Sequence, residues 1–383
     1  MPARLADPEG MVAGVKVVHL LKAAGIAGAE THLLSLLPAL RGEGIDSSVI
    51  LLEDPRREQR VLRERLERSG IPVRTLPIRW HIDPWLPAGL EDLLRGSPFD
   101  ILHAHLPHAE VYGELAMRSF PSAAFVVSRH NDDRFRRWLP LRWVFAPSIR
   151  RAGRIIAISE SVKRFLVEVE RAPAEKIDVI PYGMDADSFA REAHPGAFRR
   201  EIGAGEHPLV GFIGRMTAQK GVDVLLRAFA LVQRRHPTAT LILAGDGPDR
   251  PAVMRLALSL GLERVMFLGW RTDTADILAD IQLLAMPSRW EGFGLVALEA
   301  MAMAKPIAAS RVSALPEIIV DGETGLLATP GSVEELADAI TAILSDPKRA
   351  AAMGRAGRDR VRAEFPVKRM AQSTAAAYHS FGI

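Results

Sequence analysis

The chain has 383 residues, 48% hydrophobic and 25% charged, with 49 Lys and Arg against 46 Asp and Glu and no cysteine. At roughly 150 residues per domain this predicts two domains, and the balance excludes a disordered chain. A formal charge of +3 is too small for a protein whose main partner is duplex nucleic acid, and the lack of Cys excludes disulfides, thiol catalysis and thiolate-held metals.

From the N-terminus, residues 1–14 carry no apolar segment behind their charges, so no secretory signal is expected and the stretch reads as disordered or extended. No apolar run reaches the roughly 18–20 residues of a membrane span, which leaves a cytoplasmic address as the expectation. Short runs rich in Val and Ile then recur at 15–20, 48–52, 100–103, 124–128, 154–158 and 177–181, separated by amphipathic stretches such as 29–40 and 57–68. Continuous apolar runs predict strands buried on both faces, hence parallel sheets covered by helices. The alternation lapses over 188–207, whose Gly- and Pro-rich composition predicts a linker at 191–207 between a first domain at 15–190 and a second at 208–365. In the second domain, strands are expected at 209–213, 240–244, 265–268, 281–286 and 306–309, with helices at 222–235, 250–260, 295–303, 333–344 and 348–364. The fold class is therefore α/β, with two doubly wound Rossmann-like domains facing across a cleft. Ligands of such sheets sit beyond the carboxyl ends of the strands.

The segment 286–310 carries the most chemistry. A strand ends at Met286-Pro287. Glu291, Gly292, Phe293 and Gly294 follow, then a helix that opens at Leu295 and carries Glu299 eight residues after Glu291. Glycines before a helix leave backbone N–H groups free for an anion, and the helix dipole adds to the attraction. The two carboxylates can accept from hydroxyls on either side of a phosphate; the plain alternative is a loop Glu and a solvated helical Glu. In the segment 209–230 a strand ends at Gly214, and Arg215 and Lys220 stand in the next loop. Two cations there suit a diphosphate, although an isolated solvated pair would look the same. The order is Lys-Gly, so this is not a P-loop. Gly245-Asp246-Gly247 reads as a turn, and Gly25 to Glu30 as a further helix start suited to an anion.

His103 and His105 share one face at period two, with His108 and His130 as candidate third ligands. The sharp reading is a metal pair or a catalytic imidazole; the plain one is a buried, hydrogen-bonded histidine. No metal is expected. Asp185-Ala-Asp187 matches a cation-binding pattern and reads as a false match. The stretch 129–154 holds eight Arg among Phe135, Trp138, Trp143 and Phe145. It reads either as a surface for an anionic membrane or acceptor, or as a helix that buries Trp143 and Phe145 and solvates its arginines. No Gly-x-Ser-x-Gly elbow and no His-Glu-x-x-His occurs, which disfavours the common hydrolases.

In order, Gly214-Arg215 to Lys220-Gly221, then Ala-Gly-Asp-Gly-Pro, then Phe-Leu-Gly, then Pro-Ser-x-x-Glu-Gly-Phe-Gly resembles the retaining family-4 glycosyltransferases of the GT-B fold, over about residues 15–378. The resemblance implies a hexosyltransferase that moves a sugar from a nucleotide-diphosphate sugar to a glycan, lipid-linked or small-molecule acceptor, without metal or other cofactor. Arg215 and Lys220, beside Gly214, would hold the diphosphate. The backbone of Gly292, Phe293, Gly294 and Leu295 would add N–H donors, Glu299 would hold ribose hydroxyls, and Glu291 hydroxyls of the sugar. Gly28 would match a loop near the phosphates, His105 a histidine near the sugar, and the helix at 366–383 one that returns to the first domain. The family's usual glycines are replaced by Ala304 and by Ser313-Ala314, and its usual Asn by Tyr182. Fixed cations and a helix N-terminus stabilise a leaving phosphate, which fits same-face attack without an enzymic nucleophile. Two further readings are an epimerase or phosphorylase on the same fold, and a catalytically silent nucleotide-sugar binder.

Overall fold

The computed structural model describes residues 14–22, 28–56, 59–80 and 82–383. Residues 1–13, the loop residues 23–27 (with Gly25 of the expected anion-ready turn), residues 57–58 at the start of the expected helix 57–68, and residue 81 lie outside them.

The described chain folds into two parallel sheets. The first contains β1 (Val15–Lys22), β2 (Ile45–Glu53), β3 (Val73–Pro77), β4 (Ile101–His105), β5 (Ala124–Arg129), β6 (Arg154–Ala157) and β7 (Ile177–Val179). They lie in the order β3-β2-β1-β4-β5-β6-β7, every pair parallel. The second contains β8 (Leu209–Ile213), β9 (Thr240–Ala244), β10 (Val265–Gly269), β11 (Leu283–Met286), β12 (Ile307–Ser310) and β13 (Gly325–Ala328), in the order β10-β9-β8-β11-β12-β13 and again parallel throughout. The central strands β4 and β11 are buried along their whole length; the uninterrupted apolar run of β11 anticipates this, whereas β4 buries His103 and His105 as well.

Two strands escape the sequence pattern. The edge strand β3, Val-Arg-Thr-Leu-Pro, is only half-buried and ends in Pro, a composition that reads as loop. β13 has four residues and begins with Gly. Periodicity is silent on both because edge and short strands bury too little to imprint one.

Helices cover both faces of each sheet. On one face of the first sheet, the helices Leu86–Arg95, Leu106–Ala116 and Leu139–Arg151 pack side by side. On the other, the helix Gly28–Arg41 packs against Val367–His379, whose Met370, Ala371 and Tyr378 join the core beneath β1 and β4. That last helix follows directly on Pro347–Glu364 of the second lobe. The crossing is clasped by Met184 N–H donating to Phe365 O at 2.9 Å and Val367 N–H donating to Met184 O at 3.3 Å.

Residues 191–207, polar enough to read as linker, carry a short helix, Ala197–Glu201, pinned to the second lobe. Phe198 is buried, and Asp280 accepts from the N–H groups of Gly196 at 2.6 Å and Arg199 at 2.8 Å. Two positions where the resembling family keeps glycine pay in backbone strain: Ala304 has φ +52° and Ser313 φ +45°. Both are left-handed conformations that a Cβ resists.

Candidate functional site

Each sheet has one point where the strand order reverses, between β1 and β4 in the first and between β8 and β11 in the second. Loops leaving neighbouring strands in opposite directions open a crevice there, beyond the carboxyl ends. Every residue singled out from the sequence for donor binding follows one of these four strands or ends it.

At the second reversal, the loop after β8 holds Gly214, Arg215 and Lys220, and the loop after β11 holds Glu291 to Gly294. The structure joins the two: Lys220 Nζ donates to Glu291 Oε2 at 2.5 Å, and Ser288 Oγ donates to the same oxygen at 3.2 Å. Glu291 is buried, and Lys220 is mostly so. Arg289 clips the loops from below. It donates to both carboxylate oxygens of Asp223, at 2.8 and 2.7 Å, and to Ala218 O at 2.8 Å. Neither Arg289 nor Asp223 stood out in the sequence, because a bidentate pair 66 residues apart leaves no local pattern. Gly245-Asp246-Gly247 serves as a buttress: Gly214 N–H donates to Ala244 O at 3.0 Å and Met216 N–H to Asp246 O at 2.8 Å. Arg215 is exposed and forms no side-chain bond to the described residues.

Gly294 occupies the cap of the helix Leu295–Ala302 with φ +98°, a conformation only glycine enters freely. No side chain caps the N-terminus of that helix by hydrogen bond. Phe293 does not point to solvent; its ring is buried at the seam between the lobes, 5.1 Å from Tyr182 and 6.0 Å from Phe365. Gly292 comes so close to the first lobe that a Cβ would lie 2.4 Å from His130 O, and its carbonyl accepts from Ser159 Oγ at 3.0 Å. Glu317 of the second lobe accepts from the N–H groups of Glu160 and Ser161, both at 2.9 Å, at the N-terminus of a first-lobe helix. The carboxyl ends of the two sheets thus meet.

Glu299 is half-buried on the same helix and its carboxyl has no partner among the described residues. Burial pushes it up to about 7. A carboxyl raised in the folded state stabilises the protein below its unfolded value and loses that advantage as pH rises. Glu299→Gln is therefore expected to raise the melting temperature of the ligand-free protein at pH 8 but not at pH 4.5, checked by thermal melts across that range. An unchanged difference between wild type and variant over the whole range would refute an ionising, unpaired Glu299.

At the first reversal, Gly28 opens the helix Gly28–Arg41 and is exposed. His105 ends β4 rather than following it, and is wholly buried. Its Nε2 lies 3.1 Å from His19 Nδ1 and its Nδ1 lies 3.0 Å from His130 Nε2, so both ring nitrogens are engaged by other imidazoles. His130 Nδ1 is 2.6 Å from Tyr182 Oη, and Tyr182 stacks on His32 with centroids 4.4 Å apart. His103 is held by the hydroxyls of Tyr378 at 2.6 Å and Ser128 at 2.7 Å. Burial, then neighbouring imidazoles, hold His32, His103 and His105 well below the usual histidine range. Burial takes His19 to about 3, and burial with the Arg129 charge does the same to His130, so the cluster is neutral at physiological pH.

The cluster exceeds what His103 and His105 alone announced. His19 and His32 sit singly in apolar segments; strand pairing places His19 opposite His103, and the packing of the helix Gly28–Arg41 brings His32 to Tyr182 and His130. Nitrogens of His19, His103 and His105 lie within 4.8 Å of one another, a spacing that could hold a metal ion, though each ring already has a hydrogen-bonding partner. Of the suggested third ligands, His130 bonds to His105 whereas His108 accepts from Lys22 Nζ at 3.1 Å. Asp185 caps a helix by accepting from Ser188 N–H at 2.8 Å, and Asp187 pairs with Arg362, so neither is free for a cation.

The chain matches two family models, described as Glycosyltransferase Family 4 over residues 26–188 and Glycosyl transferases group 1 over residues 207–346. Among curated relatives it is 35% identical over 266 residues to a GDP-mannose-dependent alpha-(1-6)-phosphatidylinositol monomannoside mannosyltransferase of Mycolicibacterium smegmatis, covering 64% of this chain and 67% of that one. It is 29% identical to an alpha-D-kanosaminyltransferase of Streptomyces kanamyceticus, over 63% of this chain and 64% of that one. The matched region thus spans about two thirds of the length of these relatives. Among solved structures it superposes on Anabaena HepE in complex with UDP-glucose with a TM-score of 0.83 at 26% identity, covering 95% of this chain and 99% of that one.

Proposed function

Because the chain belongs to the family-4, group 1 glycosyltransferases, we propose that it moves a hexose from a nucleotide-diphosphate sugar to an acceptor hydroxyl with the anomeric configuration kept. The observation that carries this reading is the convergence of Lys220, Glu291 and the glycine-capped helix Leu295–Ala302 at one strand-order reversal, with Arg215 in the same loop as Lys220 and without a partner among the described residues.

Breaking a sugar–diphosphate bond leaves negative charge on the phosphate and positive charge on the sugar ring. Lys220 and Arg215, in the loop after β8, would hold the diphosphate, and the N–H groups at the start of the helix Leu295–Ala302 would add a fixed positive field. In the free protein Lys220 rests on Glu291. The diphosphate would draw that ammonium toward itself, and Glu291 would then accept from hydroxyls of the transferred sugar. Glu299, without a partner among the described residues, would take the two ribose hydroxyls. His105 would bound the sugar from the first lobe, and a hydrogen bond from it to the sugar requires its bond to His19 or to His130 to open. No enzymic nucleophile is required if the acceptor attacks the face the leaving phosphate vacates.

The test is a melting-temperature screen with uridine, guanosine and adenosine diphosphate sugars, followed by product analysis with the stabilising donor. An α-linked product from an α-donor is expected. An inverted product would overturn retention, and donor altered without any acceptor would make the protein an epimerase.

A further inference from the structure

One corner of the first lobe has no place in the donor chemistry. The segments after β3 and β5 both leave the carboxyl end of the sheet, and both lead into helices on the same face, Leu86–Arg95 and Leu139–Arg151, which flank Leu106–Ala116. Their side chains are unusually apolar for a surface. Trp80, Ile82, Trp85, Trp138, Trp143 and Val144 are each 51 to 80% exposed. Four of the six tryptophans of the chain stand here in solvent. Scattered exposed leucines are ordinary, but large exposed rings on two segments that leave the same end of one sheet mark a contact surface.

Along the second of these segments the charge has one sign over residues 134–151, which contain six arginines and no Asp or Glu. Arg136 is withdrawn into the interior and Arg151 turns to Glu114. Arg79, Arg137, Arg142 and Arg150 form no ion pair among the described residues. The plain-helix expectation for this stretch is thus half met: Phe145 is buried as it requires, while Trp143 is not.

We propose that this corner docks on an anionic lipid surface. Tryptophan rings settle at the level where headgroups meet acyl chains, Ile82 and Val144 add aliphatic area, and unpaired guanidinium groups meet lipid phosphates. A second copy of the chain would set arginines against arginines. A neutral glycan would use the rings and leave the guanidinium groups unanswered. None of the described helices is long and apolar enough to cross a membrane, so the contact is peripheral. The docking does not depend on the transferase reading, since its readout is binding.

The experiment is sedimentation of the full chain with vesicles of phosphatidylcholine alone and with vesicles of equimolar phosphatidylglycerol and phosphatidylcholine. Binding is expected only to the anionic vesicles and is expected to fall at high salt. Trp138→Ser with Trp143→Ser should weaken it by about tenfold or more, and Arg137→Glu with Arg142→Glu should abolish it. These residues are largely solvent-facing, so melting temperatures should not move. Equal binding to both vesicle types, binding unmoved by the substitutions, or no binding at all would overturn the proposal. So would light scattering that shows a dimer lost in the tryptophan variants, or neutral oligosaccharides that protect the rings from quenching while vesicles do not.

Discussion

Lys220→Ala is expected to lower kcat by about two to three orders of magnitude, because one preorganised charge on a leaving group is typically worth roughly 3–4 kcal/mol of barrier. Arg215→Ala should cost about as much, yet the two should differ in the free protein. Arg215 is exposed and has no bond to lose, so its removal should leave the melting temperature unchanged. Lys220 lies 2.5 Å from a buried carboxylate, so its removal strands Glu291 with only Ser288. The Lys220 variant should therefore melt lower, and Lys220→Ala with Glu291→Gln should regain stability without activity. Steady-state kinetics beside thermal melts of the three variants check this. Full turnover in both single variants would remove the leaving-group assignment.

The second large effect is structural. Glu110→Ala is expected to destabilise the first lobe by roughly 3–5 kcal/mol, the usual cost of removing one side of a buried ion cluster. Glu110 accepts from both nitrogens of the Arg129 fork, from Arg136 Nη2 at 2.8 Å and from Ser148 Oγ at 2.6 Å. Glu170 takes a second bond from each arginine, at 2.9 and 3.2 Å. The Arg136 guanidinium also lies 3.6 Å from the centre of the Phe145 ring. Without Glu110, the two buried guanidinium groups are left with Glu170 and, for Arg136 alone, Asp133.

Burial alone would raise Glu110; the charges of Arg129 and Arg136 outweigh it and hold the carboxyl below its ordinary value of 4.5. A lowered carboxyl contributes stability above that value and loses it as pH falls through the folded one. Wild type should thus lose this contribution only below about pH 4.5, whereas Glu110→Ala lacks it at every pH. Urea melts at pH 7 and pH 4 measure both. A variant within 1 kcal/mol of wild type at pH 7 would show the cluster to be neutral in effect.

The same cluster explains why the stretch 129–154 was ambiguous. Its eight arginines look alike in composition, yet Arg129 and Arg136 are interior while others stay in solvent. The partners that separate them, Glu110 and Glu170, lie on other helices or loops and carry no local sign of it. His105 is a parallel case. The alternation in 103–105 makes a shared face legible, but the imidazoles that occupy it arrive from β1 and from the end of β5.

What the amino-acid order determined by itself was local: runs buried on both faces, hence two parallel α/β lobes, and glycine-opened turns with Arg215, Lys220, Glu291 and Glu299 in loops or helices that follow strands. Periodicity and turn chemistry act between near neighbours, so a linear text records them. Which carboxylate neutralises which cation, that Lys220 meets Glu291 and Arg289 meets Asp223, that five histidines share one interior and four tryptophans none, was decided only by the tertiary structure. Those outcomes depend on strand order and on which face each helix covers, and both are set by burying the whole chain at once.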